Sequence, residues 1–157
     1  MIGLGTAGLW WIAAGCYAAA VVSAVAPWVN AEILMLAAAP LAGSPFELAL
    51  LVAVVTAGQM TGKSVAYWIS RTAARPRAAG LQRAIDRWRD RLARRPRSAL
   101  GVVLVSATIG LPPFYIVAVA AGALKLAFTR FLVVGAIGRL VHFALVALVP
   151  QLIGRIS

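Results

Sequence analysis

The stretch Ala99–Phe128, ALGVVLVSATIGLPPFYIVAVAAGALKLAF, decides the reading of this chain. It carries one charge, Lys125, and is interrupted near its middle by Gly110-Leu111-Pro112-Pro113. An apolar run of this length suits a bilayer, which about 20 helical residues suffice to cross. Two adjacent prolines cannot continue a helix. Each lacks an N–H, and each disfavours helical geometry in the residue before it. Interrupted backbone at membrane depth persists only where protein buries it or water reaches it. Transporters build their binding sites at such breaks. The stretch therefore points to a helical membrane protein that moves something across the bilayer.

Composition agrees. Of the 157 residues 62% are hydrophobic and 12% charged, against about 25% charged in soluble domains. The formal net charge is +11, a value that in another setting suggests nucleic acid. Its distribution excludes that partner. Ten of the fifteen basic residues fall between Arg71 and Arg97, opposed only by Asp86 and Asp90. A basic loop between apolar segments marks the cytoplasmic side of a membrane. Within it Leu81, Ile85, Trp88 and Leu92 recur at helical spacing. That suits an amphipathic helix on an anionic inner surface, or equally a plain positive-inside linker. Cys16 stands alone and His142 is the single histidine, so neither a disulfide nor a metal centre is expected, and no cofactor. No Lys or Arg precedes Lys63, so the N-terminal apolar segment lacks the basic start of a signal peptide and is read as part of the mature fold.

Working outward gives an all-α integral membrane protein with one membrane domain, residues 1–157. Residues 1–46 read as an N-terminal helix and a first re-entrant hairpin, and 47–70 as a transmembrane helix. The basic cytoplasmic segment is 71–97. A second re-entrant hairpin, 98–127, and a transmembrane helix, 128–150, complete the plan. The hairpin tips are expected at Pro27 and Asn30 and at Gly110, Pro112 and Pro113. A shift of 82 positions sets Asn30-Ala31-Glu32 against Pro112-Pro113-Phe114 and Phe46 against Phe128. This suggests an inverted repeat of hairpin plus spanning helix, a recurring transporter plan. Lys125 and Arg130 fall on the cytoplasmic side if the second hairpin re-enters, as the positive-inside bias prefers.

Polar residues at membrane depth are the candidates for function. Glu32 follows the first tip and needs a partner or water, although a first-turn acid also suits the helix dipole. Lys63 lies inside the third apolar segment on a stripe with Thr56, Gln59 and Tyr67, close enough to Arg71 to snorkel inward. Arg139 is central in the last segment, with His142 and Gly135 on its face, and must look into the bundle. Its two readings are an anion-binding cation and an ion-pair partner of Glu32. His142 taken alone reads as a packed structural residue. One acid against two bases leaves a cation over, and a phosphate headgroup suits it, since Arg binds phosphate through two parallel hydrogen bonds. Gly58, Gly62, Gly122, Gly135 and Gly138 are candidates for close helix packing, the first two at small-xxx-small spacing.

These residues together resemble the DedA/VTT superfamily, also called SNARE-associated Golgi proteins. The likeness is carried by Glu32 after a Pro-containing tip and by Gly58-x-x-x-Gly62-Lys63-x-x-x-Tyr67-x-Ile69-x-Arg71. It continues through Leu111-Pro112-Pro113, Ala121-Gly122, Phe128, Phe131 and Gly138-Arg139, and covers about residues 20–149. The resemblance implies two opposed re-entrant hairpins and transbilayer movement of phospholipids or a polyprenyl-phosphate carrier lipid. Two departures stand out: Lys63 occupies a position where many bacterial members carry an acid, and Thr108 to Ile116 lacks the arginines that flank the hairpin proline there. Both groups are tied to proton coupling in the family, so passive flipping or scrambling fits better. The expectation is thus a non-enzymatic flippase- or scramblase-like protein of the bacterial inner membrane. Glu32, Lys63, Arg139 and His142 are its substrate-binding candidates, and membrane lipids with anionic phosphate headgroups its partners. A homo-oligomer is compatible with this reading. The alternatives are a transporter of a small anionic solute and a non-transporting membrane scaffold.

Overall fold

A computed structural model describes residues 6–26, 30–73, 83 and 96–156. The described chain is all-helical: α1 (Thr6–Val25), α2 (Ala31–Ala38), a 3-10 turn (Ala39–Leu41), α3 (Pro45–Thr72), α4 (Pro96–Ile109), α5 (Phe114–Ala123) and α6 (Phe128–Ile156). Pro27 and most of the basic segment, 74–82 and 84–95, lie outside the described residues. Among the described residues two helices are long and apolar enough to cross a membrane, Pro45–Thr72 and Phe128–Val149. At about 1.5 Å per residue α2, α4 and α5 rise only about 12, 21 and 15 Å, short of a core of about 30 Å. Helix α2 begins 83 positions before α5 and α3 begins 83 before α6, one residue off the offset read from the sequence.

Local chemistry sets these boundaries. Asn30 caps α2, its Oδ1 accepting the Glu32 N–H at 2.8 Å. Pro40 lacks the donor that would prolong α2 and falls in the 3-10 turn. Helix α3 opens with Ser44 Oγ accepting the Glu47 N–H at 3.2 Å, while Glu47 Oε2 accepts the Gly43 N–H at 2.7 Å. Ser44 is thus the N-cap, Glu47 reaches back one residue beyond it to Gly43, and Pro45 takes the first helical position. Gly110 ends α4 at a φ of 83°, a left-handed conformation natural to glycine. Ser106 Oγ donates to the Pro112 carbonyl at 2.5 Å and ties the break back to α4. The Leu111–Pro112 peptide is cis.

The chain divides into two compact units, residues 1–62 with 139–157, and residues 63–138. In the first, Cys16 and Ala20 of α1, Met35 and Ala38 of α2, Leu51, Val52 and Val55 of α3, and Phe143 and Ala147 of α6 form one buried cluster. Small residues let α1 approach α3. A Cβ on Gly58 would lie 2.6 Å from the Tyr17 carbonyl oxygen, and one on Gly62 2.5 Å from Ala24 Cβ. Gln59 Nε2 reinforces this seam, donating to Ser23 Oγ at 2.5 Å and the Ala20 carbonyl at 3.3 Å. In the second unit an aromatic stack fills the centre. Tyr67 lies on Phe131 at 5.2 Å and Phe114 on Phe131 at 6.0 Å. A Cβ on Gly122 would run into the Tyr67 carbonyl and the Ser70 hydroxyl, and one on Gly138 would come within 2.6 Å of Ala107 Cβ. Gly135 is buried in α6. Large apolar side chains also face outward, including Trp11, Phe46, Ile69, Leu111 and Ile137.

Candidate functional site

The first unit gathers three of the four candidate residues. Asn30 fixes the start of α2 and so the position of Glu32 in its first turn. Arg139 and His142 are three residues apart on α6, and residues at that spacing share a helix face. Both reach one carboxylate oxygen. His142 Nε2 lies 3.0 Å from Glu32 Oε1 and makes the hydrogen bond. Arg139 Nη1 lies 3.7 Å from the same oxygen. The Arg139 side chain is 8% exposed and that of His142 15%, while Glu32 keeps 38%. The acid is thus the accessible member of a group whose bases are sunk among apolar residues. The Arg139 guanidinium also lies 5.7 Å from the centre of the Phe143 ring, and the His142 ring meets the edge of that same ring.

Such a cluster can do two things. It neutralises a buried guanidinium, which would be costly alone. It also holds that guanidinium under an oxyanion that another oxyanion can replace. A phosphate oxygen offers Arg139 and His142 the same acceptor chemistry as Glu32 Oε1, with a better match to the two-pronged Arg fork.

Lys63 belongs to the second unit. It is buried, with Nζ 5.4 Å from the centre of the Tyr115 ring. Of its stripe, Thr56 and Gln59 are buried in the first unit and Tyr67 in the second. The sequence places His142 among the substrate-binding candidates, yet taken alone it reads as a packed residue and carries no pairing with Glu32. The signal that could have paired it with Glu32 was its spacing from Arg139: two bases on one buried face want one acid between them. A second arrangement went unforeseen. Tyr67 Oη donates to the Leu126 carbonyl, and Arg71 Nη1 donates to Tyr67 Oη at 2.6 Å and to Leu126 O at 3.2 Å. This clasp fastens the α5–α6 turn to the end of α3. Arg71 reads in the sequence as the first residue of the basic run, which hides its local role.

Among the described residues no group of three or more His, Cys, Asp or Glu is placed to hold a metal ion. Comparison with known proteins finds no matching family, no matching curated protein and no matching solved structure.

Proposed function

We propose that this chain is a membrane lipid transporter of DedA/VTT type, a flippase- or scramblase-like protein of the bacterial inner membrane. It would move a phospholipid or polyprenyl-phosphate lipid without a cofactor. The carrying observation is the single carboxylate oxygen of Glu32 that meets both Arg139, at 3.7 Å, and His142, at 3.0 Å. Ionisable groups inside a bilayer are rare and mark pathways or pairs. In this reading the pair is the resting state, and a lipid phosphate takes the place of Glu32 on Arg139 during passage.

The architecture supports it. Two described helices are long enough to span, and α2, α4 and α5 are of a length for the legs of re-entrant hairpins. Outward apolar side chains suit a lipid-facing surface. The basic segment 71–97 would lie on the cytoplasmic side.

The test is reconstitution of the full chain into vesicles carrying headgroup-labelled lipids, with bleaching of the outer leaflet by an impermeant reductant. Wild type should expose inner-leaflet label. Arg139→Lys should slow this at least tenfold while the protein still inserts, because the ammonium keeps the charge and loses the fork. Flux of a small anion without lipid movement would replace this reading with solute transport. Inactivity toward both would leave the membrane scaffold.

A further inference from the structure

We propose that the α5–α6 turn, with Arg71 beside it, is a docking surface for anionic lipid headgroups, with Arg71, Lys125 and Arg130 as the phosphate-binding cations. The proposal rests on the membrane reading above and adds to it a headgroup contact made by residues other than Glu32 and Arg139.

Charge distribution is the first ground. All of the net +11 falls in the second unit, which holds thirteen of the fifteen basic residues and two of the four acids; the first unit holds two of each. Those two acids, Asp86 and Asp90, lie among eight arginines in the segment 74–95. Among the described residues of the second unit there is no acid. No described acid of the second unit balances this charge, and a leaflet of anionic lipid would do so.

Local placement is the second ground. Helix α5 ends in a Schellman motif, with the Lys125 N–H bonded to Gly122 O at 2.9 Å and the Leu126 N–H to Ala121 O at 3.0 Å. The left-handed position of that motif ordinarily belongs to glycine or asparagine. Here it is Lys125, at a φ of 56° and exposed. Arg130, also exposed, sits in the first turn of α6, where the helix dipole disfavours a cation. Both residues are poor choices for their backbone sites and good ones for holding positive charge at this turn. Arg71 is fastened alongside through Leu126 O, its guanidinium 5.5 Å from the Trp68 ring centre. Among the described residues its hydrogen bonds all leave from Nη1, one arm of a fork with five N–H donors. Half-exposed Trp68, against Phe128 at 5.4 Å, adds the amphipathic ring that favours the headgroup level.

The test uses the full chain in neutral detergent at about 150 mM salt. Phosphatidylglycerol or phosphatidylcholine is titrated in, and bound lipid is read by native mass spectrometry beside the melting temperature. Wild type should bind phosphatidylglycerol at least tenfold more tightly than phosphatidylcholine. Each cation near an anionic surface changes affinity about fivefold. Lys125→Gly with Arg130→Gln should therefore weaken phosphatidylglycerol about 25-fold. Lys125→Gly relieves the left-handed strain, so the lipid-free melting temperature should hold or rise. A merely structural lysine would give that gain with no loss of lipid. Arg87→Gln with Arg91→Gln, in the basic segment, should change affinity less than fivefold. The proposal is overturned if the Lys125/Arg130 variant stays within twofold of wild type, or if the two variants lose affinity equally. It is overturned also if inorganic phosphate alone stabilises the protein as fully and displaces the lipid, which would make this a free-phosphate site. Tight, site-dependent binding by a protein that flips no lipid would keep the docking surface and remove the transport reading. Flipping with no headgroup preference would do the reverse.

Discussion

Replacing Glu32 by Gln separates the two roles open to Arg139. The substitution keeps the side chain's shape and its acceptor oxygen, so the hydrogen bond from His142 can persist. What disappears is one negative charge 3.7 Å from Arg139 Nη1. At an effective dielectric constant of about 20 that attraction is about 4.5 kcal/mol gross. The carboxylate is 38% exposed, so solvent screens part of it, and desolvation offsets more. A net loss of about 1–2 kcal/mol is expected for Glu32→Gln. Arg139→Met removes the cation, retains much of the apolar contact, and leaves an acid that water and His142 still solvate. Its cost should be similar or smaller. The double variant strands no charge, so it should be more stable than the sum of the singles implies, by about 1–2 kcal/mol.

Unfolding of the four proteins in mixed micelles measures this coupling. A coupling under about 0.3 kcal/mol, within ordinary additivity, would refute the ion pair as a structural bond. Lipid movement by the same proteins gives the second reading. If Arg139 serves only as a partner for Glu32, the double variant folds and transports. If it holds the phosphate, the double variant folds and is inactive. A stable, fully active double variant would remove Arg139 from the substrate path.

Two further predictions concern the second unit and use the same unfolding assay. Gly122→Ala forces a Cβ against the main-chain carbonyl of Tyr67, which cannot turn aside, and should cost about 2–3 kcal/mol. Gly101→Ala in α4, where a Cβ meets nothing within 4 Å, should instead gain about 0.5–1 kcal/mol from helix propensity. Equal effects at the two glycines would contradict the packing described. Tyr67→Phe keeps the stack on Phe131 and deletes the hydroxyl shared by Leu126 and Arg71. A loss of about 1–2 kcal/mol is expected, and no loss would mean that the clasp contributes nothing.

Helix boundaries were legible because they rest on local chemistry. Pro112-Pro113, Gly43-Ser44-Pro45 and Asn30 act within a few residues, and breaks and helix starts fall there. The sequence offset is one residue short because it sets the cap Asn30 against Pro112, whereas the residue that caps α5 is Pro113. Long-range pairing was less legible. Counting charges at membrane depth left Glu32 and Arg139 as a pair in one of two readings, and they lie 3.7 Å apart. The count could not include His142, because a neutral imidazole has no sign to balance. The Tyr67 clasp was hidden for a different reason. Its acceptor is the Leu126 carbonyl, a backbone atom that every residue carries and that no sequence pattern marks.

In the first unit Glu32, Arg139 and His142 lie within reach of one oxygen. The acid is the most exposed member, so a ligand need displace only Glu32 while the bases stay sunk in apolar packing. Had the exposures been reversed, with Arg139 at the surface and Glu32 buried, an arriving anion would have left a carboxylate stranded in a dry site, at a cost of several kcal/mol. The observed order avoids that cost, since a displaced Glu32 can turn to water. In the transport reading proposed above, this asymmetry suits an anion better than a cation as the visiting ligand, whether a lipid phosphate or a small solute.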